Sequence, residues 1–119
     1  MNSNYKIALA TKDNIVDLQK FVKQMTEEAD MVFPALNLMK GLISSELVLV
    51  LFQDQKIIGT IGGSITRWWW SESKMLINTF FFVKEEHRTY DNAKKLIMGF
   101  NQIAKKNLVP VILATSDAK

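Results

Sequence analysis

One segment, Met75 to Ala114, limits the possible folds more than any other, because it reads as strand, helix, strand. Met75 to Val83 is a long apolar strand whose run Phe80-Phe81-Phe82-Val83 offers apolar side chains to both faces. Such a strand belongs in the middle of a sheet covered on both sides. Ala93, Leu96, Ile97, Phe100, Ile103 and Ala104 then recur at the spacing of one helical face, with Asp91 or Asn92 placed to cap the helix. Val109 to Ala114 is a last apolar strand, and Pro110 marks a strand entry or an edge. A β-α-β unit crosses over right-handed, so strand 109–114 is expected to run parallel to strand 75–83.

The upstream half supplies the partners of that unit. Tyr5 to Ala10 alternates as a short strand, and Thr11 or Asp13 can cap a helix over 13–28 whose apolar stripe is Ile15, Leu18, Val22 and Met25. Pro34 can open a second helix carrying Leu36, Met39 and Ile43. Leu47–Phe52 and Ile57–Ile65 are strands joined by Asp54-Gln55, a predicted hairpin. Gly59, Gly62 and Gly63 in its second strand mark a bulge or a close backbone approach. Trp68-Trp69-Trp70 with Ser71 reads as a loop or a ragged strand end. The order β-α-α-β-β-β-α-β defines an α/β (α+β) chain with a mixed, mostly antiparallel central sheet flanked by helices. With 119 residues and no linker or repeat, residues 1–119 are read as one domain.

Composition removes several chemistries. With 0 cysteines and 1 histidine, no thiol nucleophile, disulfide framework or His-pair metal site can be assembled, and no metal is expected. No apolar run approaches the roughly 20 residues that span a bilayer, so no membrane partner is expected and the cytoplasm is the expected location. The net charge of +3 favours an anionic ligand without arguing for nucleic acid.

The chemistry concentrates between Phe80 and Ala104. A strand feeding a helix N-terminus through the polar connection Lys84 to Tyr90 presents free backbone N–H groups and a positive dipole end, which suits a phosphate. Arg88, Lys94 and Lys95 add charge there. An ordinary capped helix start accounts for the same residues. The three tryptophans fit a substrate wall, a base-stacking surface with Arg67 and Lys74, a dimer interface, or a partly buried sheet end. Asn78 and Glu86 are able to polarise an amine or a water, His87 reads as a surface turn residue, and the 6 methionines read as core filler.

The run from Phe81 to Ile97, in this order of elements, resembles the core of the GNAT family of acyl-CoA-dependent N-acetyltransferases. There a strand ends in a Val-x-Pro-Glu-x-Arg type turn, followed by an Arg/Gln-x-x-Gly-x-Gly/Ala loop whose amides hold the pyrophosphate of coenzyme A. Val83 matches the strand-end valine, Glu86 and His87 the Glu-His of the turn, Arg88 the first loop residue and Ala93 the last. Asp91 stands at the usual first glycine, and Thr89 and Tyr90 replace small residues. A carboxylate facing a pyrophosphate repels it, whereas one turned aside to cap the helix does not. Ile7 to Asp13 is similar to the family's first strand and helix start, Lys56 to Gly63 to its hairpin strand, and Trp69-Trp70-Ser71 to a subgroup found in phage and bacteria.

The resemblance implies acetyl-CoA as cosubstrate and an amine of a small molecule or protein as acceptor. It places the pantetheine arm on the backbone of Phe81, Phe82 and Val83. The pyrophosphate falls to Arg88 and the amides of Thr89, Tyr90, Asp91, Asn92 and Ala93. Family members continue past the last strand with a helix and two strands, often bearing a tyrosine acid, and some hold a basic glutamate where Ile77 stands. The chain is therefore expected to be C-terminally shortened, with strand 109–114 capped by a second copy, a partner or a rearranged terminus. The expected activity is N-acetyl transfer by direct attack on the thioester, with no catalytic residue assigned. The other reading is a catalytically degenerate GNAT-like interaction protein, a phage-type factor binding a host protein. A single-strand nucleic-acid binder using the tryptophans is a third.

Overall fold

A computed structural model of the chain describes residues 5–28, 36–67 and 72–112. Its strands are β1 (Tyr5–Leu9), β2 (Val48–Gln53), β3 (Lys56–Arg67), β4 (Lys74–Val83) and β5 (Val111–Ile112), and its helices are α1 (Ile15–Glu28), α2 (Leu36–Ser44) and α3 (Tyr90–Lys106). Short 3-10 turns at Lys12–Asn14 and Glu85–His87 precede α1 and α3. The five strands form one sheet in the order β1-β2-β3-β4-β5. Neighbours are antiparallel except β4 and β5, which run parallel, as a β-α-β crossover requires.

The sheet separates two apolar clusters. On one face Leu18, Phe21, Val22 and Met25 of α1 and Leu42 and Ile43 of α2 pack against Val48, Val50 and Phe80. On the other, Leu96, Phe100, Ile103 and Ala104 of α3 pack against Leu49, Leu51, Ile58, Ile61, Leu76 and Val83. The unbroken apolar runs are explained by this sandwich. Val48 and Val50 serve one cluster and Leu49 and Leu51 the other, while Phe80 and Phe82 stack on the α1 side with ring planes 5° apart. Among the described residues no helix is long and apolar enough to cross a membrane.

Several boundaries differ from expectation for local reasons. The residues before Ile15 form a 3-10 turn closed by Asn14, whose Oδ1 accepts from the Thr11 amide at 2.8 Å and the Thr11 hydroxyl at 3.2 Å, so α1 starts two residues later than 13. The described part of α2 starts at Leu36; Pro34, Trp68 to Ser71 and residues 113–119 lie outside the described residues, as do the last two residues of the expected strand 109–114. Of that strand, Val111 and Ile112 pair with β4, while Val109 donates to Ala104 O at 3.0 Å as part of the α3 terminus.

The glycines and the hairpin turn follow the sequence more closely. Gly62 pairs with Phe80 but Gly63 with Asn78, so one extra β4 residue, Thr79, makes a bulge opposite the glycine pair. Asp54 and Gln55 sit at φ 52° and 70°, the twisted two-residue turn that suits a hairpin but strains any residue with a Cβ. Gln55→Gly should therefore raise stability by about 0.5–1 kcal/mol and the melting temperature by about 3–5 °C. Thermal unfolding followed by circular dichroism measures this, and an unchanged midpoint would mean the turn carries no strain.

Candidate functional site

β4 is paired along one side only at its C-terminal half. β5 meets it at Leu76 and Ile77, and among the described residues no strand borders it beyond the bulge. Lys84 N donates to Ile58 O at 2.8 Å, and the register sets Phe82 against Thr60 and Phe80 against Gly62. By the two-residue alternation of an antiparallel ladder, the N–H and C=O groups of Phe80 and Phe82 face β3. Those of Phe81 and Val83 face away from it. Arg88 confirms the direction, because its Nε donates to Val83 O at 2.8 Å.

The chain then turns through Glu85–His87 into α3. The expected cap at Asp91 or Asn92 is corrected. Thr89, extended at φ −113° and ψ 160°, is the N-cap, and its hydroxyl accepts from Asn92 N at 3.1 Å. The cap comes earlier because Asn92 is buried and turned inward, its Nδ2 donating to His87 O at 2.8 Å. Asp91 is exposed in the first turn, where its charge complements the helix dipole without capping it. The Thr89 amide donates to His87 O and the Ala93 amide to Thr89 O. The amides of Tyr90 and Asp91 find no acceptor among the described residues, as first-turn amides do not within a helix.

Five of the nine residues read as cofactor-binding, Phe81, Val83, Arg88, Thr89 and Ala93, line one open cleft of about 310 Å³. Tyr90 and Asp91 are exposed on the first turn of α3 that follows Thr89. Phe82 and Asn92 point elsewhere, one with its backbone on β3 and the other beneath the turn. The Arg88 Nη groups have no partner among the described residues. Lys94 Nζ lies 5.8 Å over the Tyr90 ring and Lys95 Nζ lies 5.2 Å over the Tyr5 ring. Glu86 is exposed, and Ile77 is paired with Ile112. Tyr5 is the residue that sequence reasoning missed: its hydroxyl lies 3.0 Å from His87 Nδ1, a contact across 82 positions that no local pattern signals.

No family model and no curated protein matches the sequence. Solved structures do match its backbone. An aminoglycoside N-acetyltransferase, AAC(6')-Iy in complex with CoA, superposes at TM-score 0.80 over 98% of this chain and 80% of its own, at 17% identity. A GNAT family acetyltransferase from Staphylococcus aureus gives 0.71 over 95% and 87%, at 16% identity. A ribosomal-protein-alanine N-acetyltransferase from Brucella melitensis gives 0.73 over 95% and 81%, at 15% identity. The fold is the GNAT fold. Within the GNAT fold of this chain, the C-terminal end of β4, the turn after it and the start of α3 meet at the cleft of Phe81, Arg88 and Ala93.

Proposed function

We propose that this chain binds acetyl-CoA in the cleft beside β4 and transfers the acetyl group to an amine. The observation that carries this reading is the Phe81 N–H and C=O and the Val83 N–H, which no strand among the described residues pairs, beside the cleft shared with Arg88 and the start of α3. An extended arm containing amide groups can continue the sheet there through the Phe81 N–H and C=O and the Val83 N–H. The Arg88 guanidinium and the free amides of Tyr90 and Asp91 suit a pyrophosphate. Phe82 and Asn92 serve this site by shaping it, since their own backbone amides are engaged. Neighbours of this fold, all below 20% identical, were crystallised with CoA, with a CoA bisubstrate analogue and with the aminoglycoside sisomicin, which supports a coenzyme A thioester and an amine acceptor.

In the reaction the acceptor nitrogen bonds to the acetyl carbon, the C–S bond breaks, and the thiolate takes up the proton that the amine releases. The protein's contribution is to hold the two reactants together and to polarise the thioester carbonyl from backbone donors.

Calorimetric titration tests the binding step. Acetyl-CoA should give a saturable heat with one site per chain, weakening as salt rises because charge carries part of the affinity. Absence of heat at millimolar ligand would sink the reading. A panel of amines assayed for acetylated product then separates turnover from binding alone.

A further inference from the structure

The turn that carries Arg88 is held from beneath by two side chains. His87 sits at its centre. Its carbonyl accepts from the Thr89 amide at 2.9 Å and from Asn92 Nδ2 at 2.8 Å, and its ring Nδ1 lies 3.0 Å from the Tyr5 hydroxyl. The Tyr5 and His87 rings meet edge to face, with centroids 5.9 Å apart. Asn92 shows that this arrangement has a cost. It is 1% exposed, and its Oδ1 is buried with no hydrogen-bond partner among the described residues. An orphaned buried acceptor is destabilising, and an apolar side chain in the same place would avoid it. Only Nδ2, which pins the His87 carbonyl, gives the asparagine a reason to be there.

We infer that Tyr5 and Asn92 are positioning residues, which clamp His87 from two sides and so fix the turn that presents Arg88 and the first amides of α3. The inference rests on the reading of that turn as the phosphate-holding part of the site. Tyr5 is not among the residues that line the cleft. It acts from the edge strand β1, through the imidazole, on backbone two residues further along.

The test separates a local clamp from a general prop. In the ligand-free protein, Tyr5→Phe removes one hydroxyl and should speed amide exchange at Thr89 and Asn92 about three- to tenfold, the loss expected for one part-buried hydrogen bond. Exchange at Leu96 and Phe100 in the body of α3 should stay unchanged. His87→Asn, which keeps a polar atom near the Nδ1 position, should protect these amides better than His87→Leu. With acetyl-CoA at a temperature where every variant is folded, Tyr5→Phe and His87→Leu should each weaken binding about three- to tenfold. Loop amides that keep wild-type exchange, or that speed up only together with the whole of α3, would overturn the clamp. A wild-type protein that binds no acetyl-CoA would overturn the site reading instead, and the exchange rates would still decide the clamp.

Discussion

Ala93→Glu should abolish acetyl-CoA binding while leaving the fold intact. Ala93 lines the cleft in the first turn and a half of α3. A glutamate there is a good helix former, and its charge complements the helix N-terminus, so the helix itself should not suffer. The same charge beside a bound phosphate is repulsive by about 4 kcal/mol at ~4 Å in a partly screened setting. That predicts a loss of at least about 100-fold in affinity. Ala93→Lys is the companion variant, equal in bulk and opposite in sign. It should keep affinity within about tenfold of the wild type if charge decides the outcome. Calorimetry on both, with circular dichroism to verify folding, reads the result. A glutamate variant that still binds would place the phosphates elsewhere.

Gly63→Ala should be the most destabilising single methyl addition in the sheet. A Cβ at this position meets the Ile77 carbonyl oxygen and approaches Phe100 Cζ to 2.5 Å. The first obstacle is backbone at the β4 bulge, and the second is a fully buried ring at the centre of the α3 cluster, so neither can yield cheaply. We expect a loss of about 3 kcal/mol or more, at the upper end of overpacking effects. Gly41→Ala is the control. It sits in α2 with nothing within 4 Å of the added atom, and should gain about 0.5–1 kcal/mol by helix propensity. Denaturant unfolding of both variants should show midpoints moving in opposite directions. Equal midpoints would mean the bulge relaxes freely.

The pattern of apolar residues carried most of the architecture. The double-faced run Phe80–Val83 marks a central strand because no other setting buries both of its faces, while Leu47–Phe52, read only as a hairpin strand, also serves the clusters on both sides of the sheet. The glycine pair announced the bulge, since a side chain at either position collides with β4 or with a ring beneath it. The cap of α3 lies two or three positions before the expected one because Thr, Asp and Asn are all competent caps. Only burial of Asn92 decides among them, and burial is a tertiary property. Of the proposed site, the stretch is legible in the sequence but the direction its backbone groups face is not. Whether Phe81 or Phe82 turns its backbone to the cleft depends on the register with β3, and a shift of one residue would exchange them. Tyr5 was invisible for a stronger reason: its partner is 82 positions away and the pair has no motif.

The unequal ladders on the two sides of β4 have a thermodynamic consequence. β3 matches β4 through nine residue pairs, whereas the described part of β5 matches it through two. Among the described residues, the seam between β4 and β5 therefore holds fewer ladder pairs than the seam between β4 and β3. In the proposed reading, a ligand laid beside Phe81 and Val83 supplies hydrogen bonds that no strand among the described residues makes there. Its affinity and the resistance of the seam to opening are then one quantity measured in two ways, linked by mass action. At about 100 times the dissociation constant, the ligand adds about 2.7 kcal/mol to the folded state. A melting curve recorded against ligand concentration is thus a binding isotherm for this half of the molecule, obtainable before any acceptor amine is known.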